Sequence, residues 1–104
     1  MPPTNERSNE GMIRRTLMAH GAKPQVFSFW RKGVTAAQAA AGLSIDLGPH
    51  LPLDICVLGM GDDMHCASLF PGGDGLTLAM AHGAPAVVGM NAPGAKEPRV
   101  SLSA

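Results

Sequence analysis

The residues best suited to chemistry lie in one stretch, 53–72, reading LDICVLGMGDDMHCASLFPG. Asp62, Asp63 and His65 stand together directly after Gly59 and Gly61, and a compact apolar plug of Leu69, Phe70 and Pro71 follows. A carboxylate beside an imidazole fixes its tautomer and stabilises the protonated ring, which suits a general base that activates water. The plainer reading of His65 is a loop histidine satisfied by neighbouring backbone. Cys66 adjoins His65, but catalytic Cys–His pairs are usually brought together by folding from distant positions. His20, His50, His65, His82, Cys56 and Cys66 show no CxxC or HxxxH spacing, so no metal site is expected. The run GMGDDM lacks the third glycine of a dinucleotide fingerprint and places acids where pyrophosphate would sit; no P-loop is present either. Lys96 and Arg99 lie in NAPGAKEPRVSLS, either as a solvated loop or as an anion-capturing pair, a task for which the arginine fork is suited.

Elements must hold these groups in place. The apolar run 53–60 reads as a central strand, apolar on both faces and therefore parallel and helix-covered. Ahead of it, Ser8 is a good N-cap, Glu10 suits a first turn and Gly21 a C′ position, which predicts a helix over 9–20. Arg14 and Arg15 on that helix are expected to face solvent or a ligand edge. QVFSFW, at 25–30, has strand character. Thr35 can cap a helix over 36–47, where Ala36, Ala40, Leu43 and Leu47 form one stripe and Gly48-Pro49 ends it. A short helix is expected near 77–82, with strands at 86–90 and from 100 to 103. This order of strands and helices argues an α/β class.

Composition narrows the function. The chain has 104 residues, enough for at most one small domain, with 45% apolar and 15% charged content. Eight basic and eight acidic residues balance to zero formal charge, so no basic field attracts nucleic acid or a membrane surface. Three Phe, one Trp and no Tyr leave little for base stacking. No apolar run is long enough to span a bilayer, and the polar amino end MPPTNERSNE is unlike a signal peptide. Two cysteines do not make a disulfide framework, and reduced thiols in the cytoplasm are the simplest reading.

GMGDDMHCASLFPG closely resembles the GMGxDGHTASLFPG signature of 6-phosphogluconolactonases. SNEGM, at 8–12, looks like the family's SN-x-x-M segment, and PRVSLS, at 98–103, is similar to its PxRITLT strand. Related sugar-phosphate deaminases and isomerases share the DGH core but typically continue into an NEP turn rather than SLFPG. The resemblance covers nearly the whole chain. It implies a Rossmann-like α/β domain, a parallel sheet with flanking helices as in glucosamine-6-phosphate deaminases. It implies a cytoplasmic enzyme of the oxidative pentose phosphate pathway, hydrolysing 6-phospho-D-glucono-1,5-lactone without metal or cofactor. His65 would be the general base and Asp63 would orient it or the substrate hydroxyls. Gly61 and neighbouring backbone N–H groups would steady the oxyanion. Asn9 and Arg99 would shape the sugar-phosphate pocket.

Family members are longer than this chain. A glycine-rich phosphate loop and a DERxV segment are expected before Met1, and a strand–helix region after Ala104, so residues 1–104 read as one partial domain truncated at both ends. Uncovered sheet edges and the apolar Val26, Phe27, Phe29 and Val57 would then favour self-association. Met64 replaces the DGH glycine, where a left-handed backbone is expected at some cost, and Cys66 replaces the threonine after the histidine. Two other functions fit the residues: a non-catalytic remnant that binds sugar phosphate, and an amino-sugar-phosphate deaminase or isomerase.

Overall fold

The computed structural model describes residues 1–104, which form two compact units, Met1–Gly33 and Val34–Ala104. In the first unit Ser8, which is buried, accepts a hydrogen bond from the Gly11 backbone N–H at 3.1 Å and so starts helix α1, Asn9–Thr16. Gly11 is buried against the Pro3 carbonyl, which a side chain would strike. A 3-10 turn, Met18–His20, follows and ends on Gly21 at φ 93°, the left-handed stop expected there. The predicted helix over 9–20 is thus an α-helix and a tighter last turn. Arg14 and Arg15 are exposed, and Arg14 pairs with Glu10 at 2.7 Å.

Residues 25–30 are not a strand. No neighbouring strand offers them a ladder, and the segment is instead tied to α1 by the Ser28 hydroxyl, which donates to Glu10 Oε2 at 2.5 Å.

The second unit holds the core. Helix α2, Ala36–Leu47, opens on a full capping box. Thr35 Oγ1 accepts from the Gln38 N–H at 3.2 Å, and Gln38 Oε1 accepts from the Thr35 N–H at 2.9 Å. The helix ends at Leu47 and passes into a 3-10 turn, Gly48–His50, as the Gly-Pro pair predicts. Its stripe turns inward: Ala39, Ala40 and Leu43 are buried, with Ala36 and Leu47 half-buried. A short helix α3, Leu76–Ala79, precedes strand β1, Val87–Met90, and strand β2, Arg99–Leu102, closes the unit.

The two strands pair antiparallel, Val87 opposite Leu102 and Met90 opposite Arg99. Val88 and Met90 are buried with Ala79, against which Leu69 and Leu76 pack, and Val87 is buried as well. Burying a valine or methionine side chain in this way contributes about 1.5–3 kcal/mol. α2 lies so close to β1 that a Cβ on Gly89 would come within 3.2 Å of the Ala37 nitrogen. Ser44 completes the join: its Oγ accepts from the Val87 N–H at 3.0 Å and donates to the Val87 carbonyl at 3.2 Å.

The expected central strand at 53–60 does not form. Residues 51–60 are all exposed, and the only ladder contact there is a single bridge between Met60 and Cys66. The one sheet is antiparallel rather than parallel, because β2 is the only strand that lies beside β1. A strand needs a partner for its backbone groups, and none of this chain's strands flanks 53–60.

A candidate active site in a three-residue hairpin loop

The site is built from a tight turn. The Met64 N–H donates to the Gly61 carbonyl at 2.9 Å, and the Gly61 N–H donates to the His65 carbonyl at 2.9 Å. With Met60 bridged to Cys66, this is a hairpin with Asp62, Asp63 and Met64 as its loop. The third residue of such a loop takes a left-handed conformation, and glycine is the usual occupant. Met64 is at φ 64°, so the backbone keeps the geometry that the signature's glycine would supply.

The turn folds Asp63 back onto the residue two places on. His65 Nδ1 hydrogen-bonds Asp63 Oδ1, and the His65 backbone N–H lies 3.4 Å from the same oxygen. The bond from the imidazole lowers the Asp63 pKa below the ordinary 3.8, against a smaller upward push from desolvation. Asp63 is therefore ionised at neutral pH and accepts the Nδ1 proton, which leaves Nε2 as the open, basic ring nitrogen. Gly61 provides clearance: a Cβ there would lie 2.6 Å from His65 Nδ1 and 3.0 Å from the Asp63 carboxylate. The Gly61 N–H itself donates to the His65 carbonyl.

Across the imidazole lies Phe70, with ring centroids 4.1 Å apart and planes inclined by 28°. Arg99, at the start of β2, carries its guanidinium over the same phenyl ring at 5.9 Å. Its Nε is buried without a hydrogen-bond acceptor. Two further bonds fix the surroundings. The Ser68 N–H donates to the buried Ser101 Oγ at 3.0 Å, joining the loop to β2. Asp74 accepts from the Asn91 backbone N–H at 2.7 Å and from Asn91 Nδ2 at 2.9 Å, joining the 72–75 loop to the end of β1.

Of the residues singled out by sequence, Asp63, His65 and Gly61 meet directly, and Arg99 joins His65 through Phe70. Asn9 opens α1 in the amino-terminal unit and is exposed there. Asp62 is exposed on the loop. Phe70 was legible only as part of an apolar plug, and a lone phenylalanine five positions after a histidine carries no signal of stacking. No group of three or more His, Cys, Asp or Glu side chains is gathered as a metal site would require, and no helix is long and apolar enough to cross a membrane.

A carboxylate-oriented histidine with an open Nε2, near an arginine with an unmatched donor, is equipment for proton transfer on an anionic substrate. Comparison with known proteins gives the family. The family model described as glucosamine-6-phosphate isomerases/6-phosphogluconolactonase matches residues 1–104, so the chain belongs to that family. A 6-phosphogluconolactonase of Rhizobium meliloti (strain 1021) is 41% identical over 106 residues, covering 99% of this chain and 46% of the relative. One from Pseudomonas aeruginosa is 39% identical, covering 77% of this chain and 34% of its own length. The crystal structure of a 6-phosphogluconolactonase from Shewanella baltica OS155 superposes with a TM-score of 0.83 at 31% identity, covering 99% of this chain and 45% of that one. The α/β class expected from the sequence therefore holds. The chain spans under half the length of these relatives.

Proposed function

We propose that this chain carries the general-base segment of a cytoplasmic enzyme hydrolysing 6-phospho-D-glucono-1,5-lactone to 6-phosphogluconate, and that residues 1–104 are one part of a single family domain. The Asp63–His65 pair, set in the family's own signature loop with Nδ1 taken and Nε2 open, carries this reading. His65 Nε2 takes a proton from water as its oxygen bonds to the lactone carbonyl carbon. The tetrahedral intermediate then collapses, the bond from that carbon to the ring oxygen breaks, and the oxygen leaves with the proton held on His65. Asp63 stabilises the imidazolium between these steps. The Arg99 guanidinium binds an anionic group of the substrate, which supplies the acceptor that its buried Nε lacks.

A pH-stat measurement of acid release from the lactone, corrected for spontaneous opening, tests this. Hydrolysis by the chain that vanishes in His65→Ala supports it. Equal rates for parent and variant overturn the base assignment. Heat on calorimetric titration with 6-phosphogluconate, without turnover, would favour a binding module instead.

Assembly is part of the same reading. Ile55 is 83% and Val57 89% exposed, so the unpaired run at 53–60 offers backbone and apolar side chains to a second copy of the chain. Sedimentation velocity should show association that rises with concentration and weakens in Val57→Lys. A parent protein monomeric throughout the series would refute it.

A further inference from the structure

We infer that Phe70 is a positioning residue of the site: its ring is the platform that sets the plane of the His65 imidazole and seats the Arg99 guanidinium beside it. This rests on the reading of His65 as the base, but its own observations are independent. Phe70 is one of the few aromatic side chains in the protein and is only 8% exposed. It is anchored on both sides in sequence. Leu69 before it packs against the core of Ala79, Val88 and Met90, and its own carbonyl accepts from the Gly73 N–H at 3.0 Å. Its Cδ1 also lies close to Gly94, where an added Cβ would be 4.0 Å away.

The hairpin alone does not fix His65. The bond to Asp63 holds one ring nitrogen but leaves the imidazole free to swing about that contact, and Asp63 is itself 51% exposed on a turn. A second restraint is needed to aim Nε2. The stack at 4.1 Å, with planes 28° apart, against a buried, anchored ring supplies it. Because the same ring carries Arg99 at 5.9 Å, base and anion-binding cation share one support, and their spacing depends on Phe70. The charged groups about the imidazole are Asp63 from its own loop and Arg99 from β2.

The test is proton and carbon NMR of the full chain, with His65 assigned by its loss in His65→Gln. In the parent, the His65 ring protons should lie upfield of those of His20, His50 and His82, because they sit in the shielding cone of Phe70. In Phe70→Leu they should move downfield while the other three histidines stay in place, and the Asp63 carboxyl titration should rise toward its ordinary 3.8 as the hydrogen bond loosens. Phe70→Tyr should restore both. No upfield displacement in the parent overturns the proposal, even if Phe70→Leu fails to fold. So does a folded Phe70→Leu that leaves His65 and Asp63 unmoved. Displacement and rescue as described, combined with unchanged lactone hydrolysis in His65→Ala, would sustain the platform and sink the catalytic reading.

Discussion

Two apolar runs in this chain, ICVL at 55–58 and VVGM at 87–90, meet opposite fates. Val88 is 3% exposed and Val57 89%. Strand propensity does not separate them, since both contain β-branched residues and the second even includes a glycine. The difference lies in what each finds beside it. β1 has β2 for its backbone, α2 against Gly89, and Ser44 bonded to both polar groups of Val87. The 53–60 run has only the Met60–Cys66 bridge at its far end. A strand is a relationship between segments, and β-propensity records how well a residue suits such a setting once it exists.

The sharpest way to break the comparison is to remove one side chain from each region. Leu43, 1% exposed on α2, is among the largest side chains fully buried over β1. Leu43→Ala should cost about 2–5 kcal/mol in urea denaturation, through lost burial and the cavity left behind. At concentrations where the chain is monomeric, Val57→Ala should change stability by no more than about 0.5 kcal/mol, as surface substitutions do. Comparable losses at both sites would mean that 53–60 is packed in solution, and the contrast drawn here would collapse.

The same contrast explains what could be read in advance. Ser8, Thr35, Gly21 and the Gly48-Pro49 stop act on their immediate neighbours, so their positions were legible as helix boundaries. The stripe of Ala40, Leu43 and Leu47 repeats at helical spacing whatever covers it. Gln38 was missed as the reciprocal half of the capping box, although Thr35-x-x-Gln38 is its recognised pattern. The strands at 25–30 and 53–60 were read from composition alone, and composition is silent about partners. In the site, Asp63 and His65 were legible because a two-residue spacing lets a turn join them. Phe70 and Arg99 were not legible as a pair, because their meeting depends on where β2 runs beside the 66–72 segment.

Acid provides a second probe, directed at the end of β1. Asn91 donates twice to Asp74, and these bonds lower the carboxyl's pKa below 3.8. A folded-state value below the unfolded one means that the contribution is complete above the unfolded value and is lost as pH falls through the folded one. The stability of the parent should therefore decline on acidification through and below pH 3.8, and that of Asp74→Asn should decline less. Asp63 adds a loss of the same sign through His65. If the variant declines as steeply as the parent, the Asp74–Asn91 clamp contributes nothing to holding β1.

The smallest effect should come from the hairpin loop, where the exposed run meets the site. Met64 is held at φ 64°, and its side chain is 79% exposed. A left-handed backbone costs a residue with a Cβ about 1–2 kcal/mol, whereas glycine enters it freely. Against this, glycine gives the unfolded chain extra freedom worth about 0.4–1 kcal/mol. Little packing is lost with so exposed a side chain, so Met64→Gly should stabilise the unit by about 0.8 kcal/mol, the difference between the midpoints of those terms. The gain would be read as a higher urea midpoint with an unchanged slope. His65 and Asp63 should keep their bond, because the backbone geometry that joins them is the one glycine prefers. A destabilised Met64→Gly would mean that the methionine side chain makes contacts worth more than the strain, and the exposed half of the comparison would then extend no further than residue 60.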